Sequence, residues 1–219
     1  MISDNASLLN DIHTHGINLQ SREIYLHGHY GQGEEEEPGV EYRMATTFIK
    51  NLHILESINE KGVLIHMHSI GGEWNDGIAV FNSIEYCPCP VSIIAHAHAV
   101  SMSSIILQAA DYRILMPDAD FMVHFGEVAV EGHSLCVESS VESNKKANER
   151  MLDIYANSCV HGKFFKGKAK SRVKSYIRQE ISKRGDWWMS AEEAINYGFA
   201  DCIVGDKGYE NIKIIRKNV

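Results

Sequence analysis

Three points in this chain carry residues able to do chemistry, and each lies where an extended segment gives way to a turn. Ser101 follows a stretch in which Val91, Ile93, Ala95, Ala97 and Ala99 alternate with Ser92, Ile94, His96 and His98. That is the period of a strand, and good helix formers begin directly after the serine. A serine at such a junction sits beside unpaired backbone N–H groups and the positive end of a helix dipole, which favour negative charge on its oxygen or on an attacked carbonyl. The setting suits a nucleophile, and it equally suits a plain N-cap. His124 ends a second extended run, and Gly71-Gly72 follows a third. Hydrolysis by a serine needs a base, a group that orients the base, and backbone donors for the oxyanion.

The elements that must position these groups alternate along the chain. Residues 1–16 form a polar arm expected to be weakly structured, and residues 22–27 the first core strand. The glycines and like charges of 28–38 predict an exposed loop. A helix is expected over 45–60, a strand over 63–68, and a helix with Ile78, Phe81 and Ile84 on one face ending near Cys87. After the Ser101 helix, short strands are expected over 112–116 and 121–124, divided by a Pro117-Asp-Ala-Asp turn. Val137, Val141, Asn148, Leu152, Tyr155 and Cys159 fall at helical spacing, giving a long amphipathic helix over 137–160 with one polar interruption. The lysine-rich 161–170 reads as a solvated connection, followed by a helix over 171–181. Ser190 and Glu193 make a capping box, Gly198 stops that helix, and 200–204 returns as a strand. Repeated strand–helix alternation argues for an α/β fold with largely parallel strands, whose carboxyl ends form the binding crevice.

Composition narrows the function classes. With 219 residues, 44% hydrophobic and 23% charged, the chain can build one sizeable core. A formal net charge of −8 gives no reason to expect a nucleic-acid partner, and no apolar run is long enough to cross a bilayer. No basic and apolar leader opens the chain, and five cysteines without Cys-x-x-Cys spacing argue against a disulfide framework. Cytoplasmic localisation is the resulting expectation. Four histidine pairs two residues apart, His13/His15, His27/His29, His66/His68 and His96/His98, leave metal binding as another reading, because alternate strand residues share a face. No nearby cysteine or carboxylate pattern completes such a site.

Four motifs in order resemble those of the ClpP serine peptidases, within the wider ClpP/crotonase fold, over about residues 11–204. Ser69-Ile-Gly-Gly72 resembles that family's Ser-Pro-Gly-Gly turn, and Ala99-Val-Ser-Met102 its Ala-Ala-Ser-Met motif. Met122-Val-His124 resembles its Met-Ile-His. Asp186-Trp-Trp-Met-Ser-Ala-Glu-Glu-Ala194 resembles its Asp-Phe-Phe-Met-Ser-Ala-Glu-Glu-Ala. The resemblance implies a repeated β-β-α superhelix with a protruding helical handle over about 125–185, a peptidase domain over 17–206 and a C-terminal tail over 207–219. It implies Ser101 as nucleophile, His124 as general base and then acid, Asp186 as the group orienting the imidazole, and the amides of Gly72 and Met102 as the oxyanion hole. Neither a cofactor nor a metal is implied. The implied partners are a polypeptide substrate, further copies of the chain in a heptameric ring or stacked double heptamer, and either an AAA+ unfoldase or phage capsid and scaffold proteins.

The chain departs from that pattern at several points. Ile70 stands where the turn carries proline, Phe125-Gly126 replaces Gln-Pro after the histidine, and Arg184-Gly185 replaces the Asp-Arg found before the aspartate in many members. By the resemblance, these positions would border the peptide groove and the contact between rings. The chain contains no Gly-x-x-x-x-Gly-Lys-Ser/Thr phosphate loop, so any ATP is used by a partner. A non-catalytic ring subunit and a crotonase-like acyl-CoA enzyme are the other readings that share this fold; the latter has no need of Ser101, His124 and Asp186 together.

Overall fold

The computed structural model describes residues 2–27 and 39–218, so the loop expected over 28–38 lies outside the described residues. Its centre is an eight-stranded sheet. The main path runs β1 (Ile17–Asn18), β2 (Glu23–His27), β3 (Val63–Ser69), β4 (Val91–Val100), β5 (Tyr112–Leu115) and β8 (Cys202–Ile203), parallel from β2 onwards. Two further strands, β6 (Asp120–Val123) and β7 (Trp187–Met189), leave that path. The branch exists because β4 is long enough to serve two neighbours: residues 92–95 pair with β5, and residues 98–100 pair with β6.

Helices α2 (Tyr42–Ile58), α3 (Trp74–Glu85), α4 (Met102–Leu107), α5 (Ser134–Cys159), α6 (Lys170–Arg184) and α7 (Ala191–Tyr197) contribute to a single large apolar core with the sheet. Most residues of β3 and β4 are buried, the histidines and serines among them included in part, because both faces of the sheet are covered. The first half of α5 buries nothing. Met151 is its first buried residue, so residues 134–150 form the exposed part of the handle region. The capping box of Ser190 and Glu193 and the left-handed Gly198 bound α7 as the sequence predicts.

Three segments differ from expectation. The arm over 1–16 carries helix α1 (Ile2–His15), whose Leu8 and Ile12, one turn apart, are half-buried while the remaining polar residues hide that short stripe in the sequence. The connection over 161–170 is not wholly solvated. Phe165 is fully buried, and the Lys168 ammonium lies 4.5 Å from the Phe164 ring centroid, so the lysines line the outside of an aromatic cluster. The C-terminal tail over 207–219 folds into helix α8 (Ile212–Asn218), and its Ile215 packs with Leu64, Ile94, Ile114 and Cys202 on the other face of the sheet.

The α8 contact is reinforced by a buried carboxylate. Glu23 is fully buried and accepts hydrogen bonds from the Arg216 guanidinium and from the Tyr25 hydroxyl, with Arg216 Nη2 at 3.0 Å. Burial alone would raise the Glu23 pKa. The proximity of the His66 ring, 3.8 Å away, and the hydrogen bonds and charge of Arg216 outweigh it and hold the carboxyl at about 2. A carboxyl depressed in the folded state adds stability above its unfolded pKa, and that increment is lost as the pH falls towards the folded value. Glu23→Gln is therefore expected to lower unfolding stability by about 1–3 kcal/mol at neutral pH, the cost of mismatching a buried hydrogen-bonded group. The difference from wild type in urea unfolding should close as the pH is taken from 4.5 towards 2.

Candidate active site

Ser101 lies at the turn between β4 and α4 with φ 54° and ψ −127°, a conformation that residues other than glycine rarely adopt. Its N–H donates to the Met122 carbonyl at 3.1 Å, extending the β4–β6 pairing by one residue. Its carbonyl accepts from the Ser104 N–H at 3.1 Å and from the Ser104 hydroxyl at 2.6 Å. The backbone on both sides of the serine is thus held, which keeps a strained turn in place. The serine does not cap α4 through its side chain.

His124 directly follows β6 and places Nε2 2.8 Å from Ser101 Oγ. Its other ring nitrogen, Nδ1, lies 3.3 Å from Asp186 Oδ1. This second contact follows from strand pairing: β6 and β7 are antiparallel with Val123 opposite Trp187, and one step further along the ladder sets 124 opposite 186. A proton on Nδ1 facing Asp186 leaves the Nε2 lone pair directed at the serine hydroxyl. Asp186 is about half exposed and His124 largely covered.

The wall opposite His124 is the glycine turn after β3. Gly71 has φ +99°, and a Cβ there would lie 2.6 Å from Ser101 Cβ and 2.8 Å from the Met102 nitrogen. A Cβ on Gly72, at φ +149°, would run into the Val40 backbone. Two glycines therefore let the turn press against both Ser101 and Val40. The N–H of Met102 opens α4, where no helical carbonyl can receive it. Neither it nor the Gly72 N–H donates to a backbone carbonyl among the described residues. The pair of amides and the serine hydroxyl border one cleft of about 340 Å³.

The polar support below this cleft has almost no local signature in the sequence. Ser104 Oγ shares a 2.6 Å hydrogen bond with the hydroxyl of Tyr155, which is fully buried; burial raises its pKa, so the phenol stays protonated. Gln108 Nε2 donates to the carbonyls of Ser104 and Phe199, and its Oε1 accepts from Arg113. Arg113 in turn pairs with Asp201 and donates to the Gly198 carbonyl. Asn148 Oδ1 accepts from the Gly126 N–H at 2.8 Å and Asn144 Nδ2 donates to the Gly126 carbonyl at 3.0 Å, so two asparagines one helical turn apart clamp the segment after His124. The four-residue spacing of those asparagines on the long helix was the one available signal.

His66, His68, His96 and His98 do not line this cleft, and His29 of the His27/His29 pair lies outside the described residues. His66 Nδ1 lies 3.1 Å from His96 Nε2, and the His68 and His98 rings are 5.9 Å apart. His13 and His15 sit on a helix, where residues two apart do not share a face, which removes the reason for pairing them. Among the described residues no group of three or more His, Cys, Asp or Glu side chains is placed to hold a metal ion.

Comparison with known proteins adds an independent finding. Residues 37–207 match the family model described as Clp protease. The ATP-dependent Clp protease proteolytic subunit of Deinococcus radiodurans is 29% identical over 175 residues, 78% of this chain and 79% of that protein. The ATP-dependent Clp protease proteolytic subunit 2 of Pseudomonas aeruginosa is 26% identical over 168 residues, 76% of this chain and 77% of its own.

The glycine turn gives a structural test of the cleft. Gly71→Ala adds a methyl group against Ser101 and Met102 and forces alanine into positive φ, so its cost in urea unfolding should be about 2–4 kcal/mol. Gly185→Ala also has positive φ but meets nothing within 4 Å, and should cost only about 1–2 kcal/mol.

Proposed function

The chain belongs to the Clp protease family, and from that premise we propose that it is a serine endopeptidase acting through Ser101, His124 and Asp186. The observation that carries this reading is the 2.8 Å contact between His124 Nε2 and Ser101 Oγ, with Asp186 on the opposite ring nitrogen. In the proposed reaction Ser101 Oγ attacks the peptide carbonyl while its proton passes to His124 Nε2. Negative charge on the former carbonyl oxygen is received by the N–H groups of Gly72 and Met102. Such donors typically contribute about 3–4 kcal/mol each to the transition state. Collapse of the intermediate breaks the C–N bond as His124 gives its proton to the leaving amine. Water, deprotonated by the same imidazole, then hydrolyses the acyl-enzyme. Asp186 fixes the tautomer and stabilises the imidazolium without taking its proton.

The proposal includes assembly into a homo-oligomeric ring that receives unfolded polypeptide from an ATP-driven partner. Support comes from the relatives' descriptions as ATP-dependent proteolytic subunits. Further support comes from the exposed apolar side chains of Leu135 and Val141 on the handle, which are available for burial between copies. The chain itself lacks a phosphate loop.

A fluorophosphonate probe tests the activated serine. Labelling is expected on Ser101 in wild type and absent in Ser101→Ala. His124→Ala and Asp186→Asn should slow peptide hydrolysis by about 10⁶-fold and 10⁴-fold respectively, as in other serine triads. Native mass spectrometry of the same sample should show a ring. A folded, assembled protein that takes no label would point to a structural ring subunit instead.

A further inference from the structure

The cleft beside Ser101 combines two surfaces that suit different parts of one side chain. Ile105 and Met151 are buried behind it and Trp74 is half-buried at its wall, giving an apolar lining. Glu73 and Glu127 border the same cleft, and both are exposed at its mouth. They come from opposite flanks of the nucleophile. Glu73 follows the glycine turn and precedes α3, and its N–H is fixed to the Val40 carbonyl at 2.8 Å. Glu127 follows Gly126, whose N–H and carbonyl are both held by Asn148 and Asn144. Each carboxylate is therefore attached to a backbone point that hydrogen bonds hold in place.

Neither carboxylate has a cationic partner among the described residues, and no lysine or arginine borders the cleft. Other acids on the surface differ in this respect, some paired and some not. Glu149 and Asp153 pair with Arg178 and Lys174, and Glu180 pairs with Arg184. Two unpaired anions over an apolar wall match a side chain with a methylene stem and a cationic head. We infer that Glu73 and Glu127 make this a cleft for lysine and arginine, so that the preferred scissile bond follows a basic residue. This inference rests on the peptidase reading above and specifies its substrate class. Glutamate in the same place would face two like charges, and an aliphatic residue would gain the lining without the carboxylates.

Competition between internally quenched peptides that differ only at the central residue tests the assignment. Lysine and norleucine share the unbranched stem and differ in the ammonium group, so their ratio of kcat/KM isolates the charge. Measured in one tube, it is also independent of the fraction of active enzyme. In 20 mM salt, about a tenfold preference for lysine is expected, the scale of one or two carboxylate contacts at about 4 Å in water. The preference should fall as the salt concentration rises to about 0.5 M. Glu73→Gln and Glu127→Gln should each lower the ratio, and the double variant should bring it close to one. Mass spectrometry of the products should place the cut after the lysine. A wild-type ratio at or below one, or a preference unchanged in the double variant, overturns the assignment. Fluorophosphonate labelling of wild type separates the two levels. Labelled protein without a lysine preference leaves the peptidase reading standing and removes this one, whereas protein that neither takes the label nor cuts any peptide removes both.

Discussion

The strained backbone at Ser101 is the constraint around which the rest of the molecule is arranged. A serine at positive φ costs on the order of 1–3 kcal/mol, and it persists only where its surroundings leave no alternative. Here β6 holds the serine N–H, Ser104 holds its carbonyl twice, and the glycine turn approaches too closely to admit a Cβ at Gly71. The consequence is geometric. Chain reversal at this point turns the hydroxyl towards His124 and leaves the Met102 N–H at the head of α4 unclaimed. A relaxed serine would have capped the helix with its own oxygen and used up the group that is now directed at histidine.

That turn is held from below by polar groups in an otherwise apolar interior. Ser104, Tyr155, Gln108, Arg113 and Asp201 link α4 to α5, to β5 and to the start of β8. A buried network is stabilising only when its members are satisfied, since each unpaired group would cost about 1–3 kcal/mol. Nearly every donor in this one has a partner. The aromatic cluster of Phe121, Tyr155, Phe199, Trp187 and Tyr197 surrounds it and excludes water. The cleft thus has a rigid base and a comparatively open mouth, where Asp186, Glu73 and Glu127 meet solvent.

Strand β4 joins these features to the fold. Its first half completes the parallel sheet with β5, and its second half diverges to pair with β6. Because β6 then pairs antiparallel with β7, the histidine after one strand and the aspartate before the other face each other one step beyond the Val123–Trp187 pair. Residues 101, 124 and 186 are therefore brought together by two strand pairings, with α5 and α6 inserted between the second and the third. The insertion leaves residues 134–150 exposed without disturbing the ladder that aligns the imidazole.

Much of this was legible in the chain. Period-two alternation gave β4, the capping box and Gly198 gave α7, and the four motifs singled out Ser101, His124, Asp186 and the glycine turn. Each of those signals is local: a hydrophobic period, a cap or a short string of residues is set by neighbours in sequence. The polar arm concealed α1 because its apolar stripe is only two residues wide. The tail concealed α8 because its burial depends on a sheet face built by distant segments. Strand β7 carries three residues and no alternation that could mark it, yet it aligns Asp186. Ser104, Tyr155 and Gln108 are ordinary polar residues until tertiary packing removes the water that would otherwise satisfy them, and Asn144 and Asn148 find Gly126 only once the chain has folded. Local propensity and pattern thus determined the elements and the chemical identity of the candidate groups. The strained turn, the branching of β4 and the burial of polar partners were decided only by tertiary structure, because they depend on atoms brought close from segments separated along the chain, by 20 residues where β4 meets β5 and by 91 where Gln108 meets Phe199.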